Sequence, residues 1–346
     1  MIVLSWIFDG VTRVRNWLYD RRVLKSYKVG AVVVSIGNIS AGGSGKTPLT
    51  DLLLQAFEKR GERVAVLSRG YKGIHTEVVE KVDLAFENSP VKRFGDEPVL
   101  LAQRNPGVPV FVGRNRLLAA RKILEIQPVR FLILDDGFQH RRLFRNLNIL
   151  VVDATEDPGR WYLLPKGLGR EGLYAVKRSD LAILTKTNFV DDQRLIYWKQ
   201  ILSRYGRAEL PVWECRYEAD GLFELMSQKP VELDAIHPGD VLLLSGIAKP
   251  ETFQRLVENE LGLKCVQALI YEDHHEFSAR DLAKAKKRAQ DANVSAILVT
   301  EKDAVKLRTL IQPRESSGLP ILVVRLKPKL NHKVDKIYEM AVAQMS

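Results

Sequence analysis

The 346 residues are 46% hydrophobic and 27% charged, values that describe a globular protein long enough for two domains and a sizeable core. The net charge is +11, and no aromatic-rich RNA motif, zinc-finger spacing or helix-turn-helix pattern is present. An anionic membrane face or a phosphorylated substrate therefore ranks ahead of nucleic acid as partner. The two cysteines, Cys215 and Cys265, fit no metal motif and suit a reducing compartment, and no run of about 18 apolar residues offers a transmembrane span.

Residues 1–28 place Leu4, Ile7, Val11, Val14 and Leu18 at helical spacing, with Trp6, Phe8, Trp17 and Tyr19 interleaved. Six basic residues there face only Asp9 and Asp20, a local net of +4. Two readings stand open. The segment is a helix lying in a membrane interface, tryptophans at headgroup depth and basic residues on anionic lipid. Alternatively it is an N-terminal helix packed on the domain's own core, its arginines solvated.

The segment 31–60 organises the first half. Residues 31–36 are a β-branched apolar run, a buried strand. A loop rich in Gly, Ser and Asn follows, and residues 49–60 have helical spacing ended by Gly61. Strand, glycine loop and helix form the context of a phosphate-binding loop, here Ser40-Ala41-Gly42-Gly43-Ser44-Gly45-Lys46-Thr47. Glycines let backbone N–H groups approach phosphate oxygens, Lys46 can reach the β- and γ-phosphates, and the Thr47 hydroxyl can ligate Mg²⁺. Ser40 stands where the generic pattern has its first glycine.

Further strands at 63–67, 108–112 and 131–134 each run into a polar loop, where open α/β sheets bind ligands. These loops carry Arg69; Arg114 and Arg116; and Asp135, Asp136, Gln139 and His140. Two acids at a buried strand's end, downstream of a phosphate loop, are the expected metal half of a Mg·ATP site. Asp96, between Gly95 and the helix opened by Pro98, reads from spacing alone as an N-cap or a site residue. Strands at 148–153 and 181–184 flank a basic glycine-rich loop, 163–171, that includes Arg170. Thr185 to Asn188 reads weakly as a nucleotide-base contact.

After a helix at 192–205 the pattern changes. Short strands at 212–217 and 222–225 flank Asp220-Gly221, a hairpin signal read as an inter-domain connector. A second α/β unit follows, with strands at 241–245, 265–271, 296–300 and 321–325 and helices at 251–261 and 280–292. Its loop 272–277 contains His274 and His275, and Thr300 to Asp303 forms a charged turn or a contact to the first unit.

In order, the segments 38–48, 68–73, 95–98, 113–116, 135–140, 163–171, 273–277 and 300–306 resemble the tetraacyldisaccharide 4′-kinase family, the lipid A 4′-kinases, over most of residues 6–306. That family also has Ser or Thr in place of the first loop glycine. The resemblance implies transfer of the γ-phosphoryl of ATP, with Mg²⁺, to the 4′-hydroxyl of a tetraacylated glucosamine disaccharide 1-phosphate, at the cytoplasmic face of a Gram-negative inner membrane. No protein partner is implied.

The resemblance further implies a P-loop NTPase-like α/β/α sandwich plus a second, smaller α/β/α domain joined by a two-stranded linker, with an N-terminal amphipathic membrane helix. The corresponding boundaries are 1–28, 29–210, 211–228 for the linker, 229–330, and a C-terminal helix at 331–346. Carried over by residue, Asp96 matches the catalytic aspartate and His274 the histidine that supports it, so that closure of the domains would assemble the pair. Lys46 and the loop 40–47 match the ATP site, with Gln139 nearby. Thr47, Asp135 and Asp136 match the metal site, and Arg69, Arg114, Arg116 and Arg170 are candidates for the substrate or γ-phosphate. A membrane-associated P-loop NTPase switch and a soluble ligase of the same architecture are the competing readings. The switch needs no sugar-hydroxyl base, and the ligase does not need residues 1–28.

Overall fold

The computed structural model describes residues 2–74, 77–86, 89–158, 161–236, 239–311 and 318–344. The first half comprises α1 (Ile2–Asp20), β1 (Val32–Gly37), α2 (Lys46–Lys59), β2 (Val64–Ser68), β3 (Glu80–Lys81), α3 (Pro90–Phe94), α4 (Asp96–Arg104), β4 (Val110–Val112), α5 (Arg116–Ile126), β5 (Phe131–Asp135), β6 (Leu147–Asp153), β7 (Leu181–Thr185) and α6 (Asp192–Tyr205). The chain continues through β8 (Val212–Glu224), β9 (Pro230–Val231), β10 (Asp240–Ser245), α7 (Pro250–Glu260), β11 (Lys264–Ile270), α8 (Ala279–Asp291), β12 (Ala296–Thr300), α9 (Glu301–Leu307), β13 (Ile321–Leu330) and α10 (Asp335–Ala343).

Alternation along the strands sorts the core. Val32, Val34 and Ile36 of β1 pack with Leu49, Leu53 and Phe57 of α2 and with Ile337 and Ala341 of α10. Val33 turns to the other face, against Leu117, Ala120 and Ile123 of α5. Helices therefore cover both faces, as buried parallel strands require. In the second half, α8 and α9 cover one face and α7 the other.

All strands join one sheet in the order β11-β10-β12-β13-β8-β7-β6-β1-β5-β2-β4-β3, with β9 on β8. The linker of the two halves is the antiparallel pair of β8 and β13. Residues 212–215 of β8 pair with β7, and the strand then runs on past the end of β7 to meet β13 and β9. Likewise β13 pairs with β12 through Val324 and continues to Leu330 along β8 alone. The C-terminal ends of the two parallel strand sets thus face each other along this ribbon, which puts the ligand-binding ends of both halves at one cleft.

Asp220-Gly221 makes no hairpin, which corrects the expectation for 211–228. Val324 pairs with Leu222 and Leu326 with Ala219, so Asp220 and Gly221 together stand opposite the single residue Arg325. This is a β-bulge, and Gly221 supplies its positive φ of 107°. A turn and a bulge ask for the same dipeptide, and only the distant partner strand decides between them. That partner was expected to end at residue 325.

A buried ionic network ties the ribbon to the helices that carry the site. Arg104 of α4 bonds Asp51 of α2 at 2.9 Å and Glu301 of α9 at 2.6 Å. Glu301 also accepts the Leu326 N–H at 3.0 Å.

The N-terminal helix inverts the usual arrangement. Its buried positions are the polar residues Ser5, Thr12 and Asn16, while Val3, Trp6, Ile7, Val11, Val14 and Trp17 are all more than half exposed. Thr12 meets the Tyr174 hydroxyl at 2.7 Å, Asn16 donates to Glu171 at 2.8 Å, and Arg141 donates to both the carbonyl and the side chain of Asn16. The helix thus packs on its own domain through polar residues, with Val3, Trp6, Ile7, Val11, Val14 and Trp17 turned away from the core.

Candidate active site

The phosphate loop is held from behind. Thr185 Oγ1 donates to the Ser44 carbonyl at 2.8 Å, Lys186 Nζ to the Gly43 carbonyl at 2.9 Å, and the Tyr217 hydroxyl to the Gly45 carbonyl. Pinning three successive carbonyls fixes the peptide planes of the loop, and Gly42 to Thr47 line the cleft between the halves. Lys186 and Thr185 thus brace the loop from the strand end that was expected to meet a nucleotide base. The first part of the loop is pinned as well. Ser40 Oγ donates to Glu156 and the Ala41 N–H to the Leu168 carbonyl. Lys46, the first residue of α2, lies over the loop, 3.3 Å from Asn38 Oδ1 and Ser44 Oγ and 3.6 Å from Asp136.

The acidic half sits beside it because β1 and β5 are neighbours in register, Ile36 opposite Asp135. Burial, with repulsion from Glu97 and Asp136, pushes the Asp135 carboxyl up to about 7. Burial also raises Asp136, but Lys46 and Arg170 outweigh it and hold that carboxyl well below the usual range. Arg170 NH1 reaches Asp136 Oδ2 at 2.7 Å. Among the described residues no three His, Cys, Asp or Glu side chains form a metal-holding group. A Mg²⁺ carried on nucleotide phosphates requires only one or two protein carboxylates. The two adjacent acids fit that demand, and Asp136 Oδ1 is buried without a hydrogen-bond partner among the described residues.

Asp96 and His274 come from opposite halves, 178 residues apart, and meet at 2.9 Å, His274 Nδ1 to Asp96 Oδ2. Asp96 is the first residue of α4 rather than its N-cap, and its Oδ1 accepts the Glu97 N–H at 2.9 Å. Burial pushes the Asp96 carboxyl up, but the hydrogen bond from His274 and the charge of Lys302 outweigh it and hold it at about 2. His274 has a φ of 60°, donates its N–H to the Gly246 carbonyl at 3.1 Å, and accepts from Lys72 Nζ at 3.2 Å.

Gly95 aims Asp96. Its φ of 91° with ψ of 160° lies in a region open essentially to glycine, and a Cβ there would come within 2.6 Å of the Tyr71 carbonyl. Gly95→Ala is expected to destabilise the fold by about 1–3 kcal/mol and to lower kcat by displacing Asp96. A variant with wild-type melting temperature and turnover would show that the backbone tolerates the change.

The chain matches the family model described as tetraacyldisaccharide-1-P 4′-kinase over residues 1–342. It is a member of that family. It is 38% identical over 308 residues to the tetraacyldisaccharide 4′-kinase of Bdellovibrio bacteriovorus, covering 89% of this chain and 88% of that one. It is 35% identical over 350 residues to the tetraacyldisaccharide 4′-kinase of Syntrophus aciditrophicus, covering 99% and 91%. A crystal structure of LpxK from Aquifex aeolicus in complex with ATP superposes with a TM-score of 0.76 at 27% identity, over 100% of this chain and 98% of that one.

Within this 4′-kinase fold, the residues expected at the site divide by place. Lys46, Thr47, Asp135, Asp136 and Arg170 gather at the first half's strand ends, while Asp96 and His274 join the two halves and line a neighbouring cavity with Tyr71 and Lys72. Arg69 and Arg114 are exposed. Arg116 is only 2% exposed, and its guanidinium donates to the carbonyls of Gly113 and Asp135. It shapes the acidic loop from beneath, and its Nε is buried without a hydrogen-bond partner among the described residues. Gln139 braces the phosphate loop, donating to the Asn38 carbonyl at 2.8 Å and to Glu171 at 3.2 Å. Sequence reasoning assigned no role to Glu171 or Tyr217, and for Lys302 only the turn or contact to the first half, which its ion pair with Glu97 makes. For Lys302 the signal was a charged residue at a strand's C-terminal end.

Proposed function

We propose that this chain transfers the γ-phosphoryl of ATP to the 4′-hydroxyl of a tetraacylated glucosamine disaccharide 1-phosphate. The observation that carries this reading is the Asp96–His274 pair, which joins the two halves next to Glu97, Asp273 and Lys302, residues that line the cleft of the phosphate loop. An NTPase switch has no use for such a pair.

In the reaction, the 4′-oxygen forms a bond to the γ-phosphorus and the bond from that phosphorus to the bridging oxygen breaks, leaving ADP. The hydroxyl proton passes to the Asp96 carboxylate, which His274 orients. The backbone N–H groups of 42–47 and Lys46 stabilise charge on the phosphates. Thr47, Asp135 and Asp136 would hold Mg²⁺, which when bound neutralises charge on the β- and γ-oxygens.

No helix among the described residues is long and apolar enough to cross a membrane. The exposed apolar face of α1, flanked by Arg13, Arg21, Arg22 and Lys25, fits a helix lying in an anionic interface. That face supports a peripheral membrane position, and the lipid substrate and ATP that the family implies make the cytoplasmic face of the inner membrane the proposed site.

Labelled γ-phosphate should move from ATP to the purified acceptor in detergent. ATP hydrolysis without lipid phosphorylation would replace the kinase reading with the switch. For the helix, the double substitution Ile7→Glu and Val14→Glu should weaken co-sedimentation with anionic phospholipid vesicles by about tenfold or more, since each apolar side chain contributes about 1.5–3 kcal/mol when buried. Unchanged sedimentation would remove α1 as the membrane contact.

A further inference from the structure

We propose that Lys302 is a positioning residue for the transfer step, its ammonium fixing the tautomer of His274 so that the imidazole donates Nδ1–H to Asp96. The proposal deepens the kinase reading and rests on it for its kinetic consequence, though not for its structural one.

Lys302 Nζ lies 3.1 Å from His274 Nε2, 3.4 Å from Asp273 Oδ1 and 3.5 Å from Glu97 Oε1. An ammonium carries three donors and no acceptor, so these three groups account for its protons. Nε2, facing a donor, must present its lone pair, and the ring proton is left on Nδ1. There it meets Asp96 Oδ2 at 2.9 Å. The alternative acceptor for an Nε2–H is Asp273 Oδ2, at 3.8 Å and beyond hydrogen-bond range. Lys302 itself stays charged: burial lowers its affinity for a proton, but Glu97, Asp96 and Asp273 outweigh that and raise it above the ordinary lysine value.

The two partners are anchored on one residue. Gly246 donates its N–H to Asp303 Oδ2 at 3.0 Å, which anchors the start of α9 where Lys302 sits, and its carbonyl accepts the His274 N–H at 3.1 Å. Thr300 caps the same helix, accepting from the Asp303 N–H. Lysine and histidine are therefore fixed relative to each other by short, local bonds. Because Nε2 is occupied by a donor, His274 has no open nitrogen to take a proton onward. The hydroxyl proton stays on Asp96 through the transfer.

The test uses the full-length chain in detergent, labelled with ¹⁵N-histidine, with the His274 signal identified by its loss in His274→Gln. Long-range ¹H–¹⁵N couplings should show the Nδ1–H tautomer in the wild type and loss of that preference in Lys302→Met. The same variant should lose about ten- to a hundredfold in kcat, the size of effect that a displacement near 1 Å produces, with KM for ATP within about threefold. Lys302→Arg, which keeps a charged donor, should recover most of both signatures. An Nε2–H or doubly protonated His274 in the wild type would overturn the proposal whether or not the lipid proves to be the acceptor. So would a Lys302→Met variant, folded by circular dichroism, whose KM for ATP rises while kcat and the tautomer hold. That result would put Lys302 on the nucleotide.

Discussion

Replacing Asp96 with asparagine is expected to lower kcat by about 10²–10⁴-fold, the range that a positioned proton acceptor contributes. The amide keeps nearly the same volume and still offers an oxygen to His274 Nδ1, so the cross-cleft contact survives while the capacity to take a proton does not. KM for ATP should stay within about twofold, because the contacts of Asp96 are to Glu97 and His274 rather than to the phosphate loop. A loss smaller than about tenfold would remove Asp96 as the acceptor. Its low proton affinity is no obstacle. In a loose phosphoryl-transfer transition state the nucleophile gives up its proton late, so a carboxylate that is always ionised suffices. A carboxyl held at about 2 protonates only as pH falls to that value, so an acid limb in kcat above pH of about 4 should belong to another group.

Lys46→Ala should cost at least about 10²–10³-fold in kcat/KM, the scale for deleting one preorganised donor to developing charge. The side chain contacts Asn38, Ser44 and Asp136, all at the mouth of the phosphate loop. Its removal leaves Asp136 still paired to Arg170 at 2.7 Å, so the buried carboxylate is not stranded and the fold should persist. The check is labelled transfer beside circular dichroism and ATP binding. Wild-type turnover in a folded variant would sink the phosphate-loop assignment.

Local pattern carried much of this structure. The β-branched run before residue 37 forms β1, and helix α6 covers the expected 192–205. The phosphate loop and the Asp135-Asp136 strand end were legible for the same reason: their chemistry is contiguous in the chain. What pattern could not supply is pairing at a distance. Asp96 and His274 are 178 residues apart, and spacing alone could not separate a site residue from an ordinary cap; only the resemblance joined them. Asp220-Gly221 failed in the same way, since its partner strand lies a hundred residues on. Tyr217 looked like a strand residue and is one, yet its hydroxyl reaches back to Gly45 because the long β8 passes under the loop.

The polar underside of α1 bears on how a detergent-free version of this protein should be engineered. Glu171, only 2% exposed, is satisfied by Arg178, Gln139 and Asn16, and Gln139 in turn holds the carbonyl of Asn38, whose side chain receives Lys46. Truncating the first 28 residues would open this chain of bonds to water two steps from the phosphate loop. A solubilised variant should instead retain the whole helix and recode only its outward residues, Trp6, Ile7, Val11 and Val14 among them, to charged or amide side chains. Such a chain would present a polar outer face while keeping the scaffold under its nucleotide site.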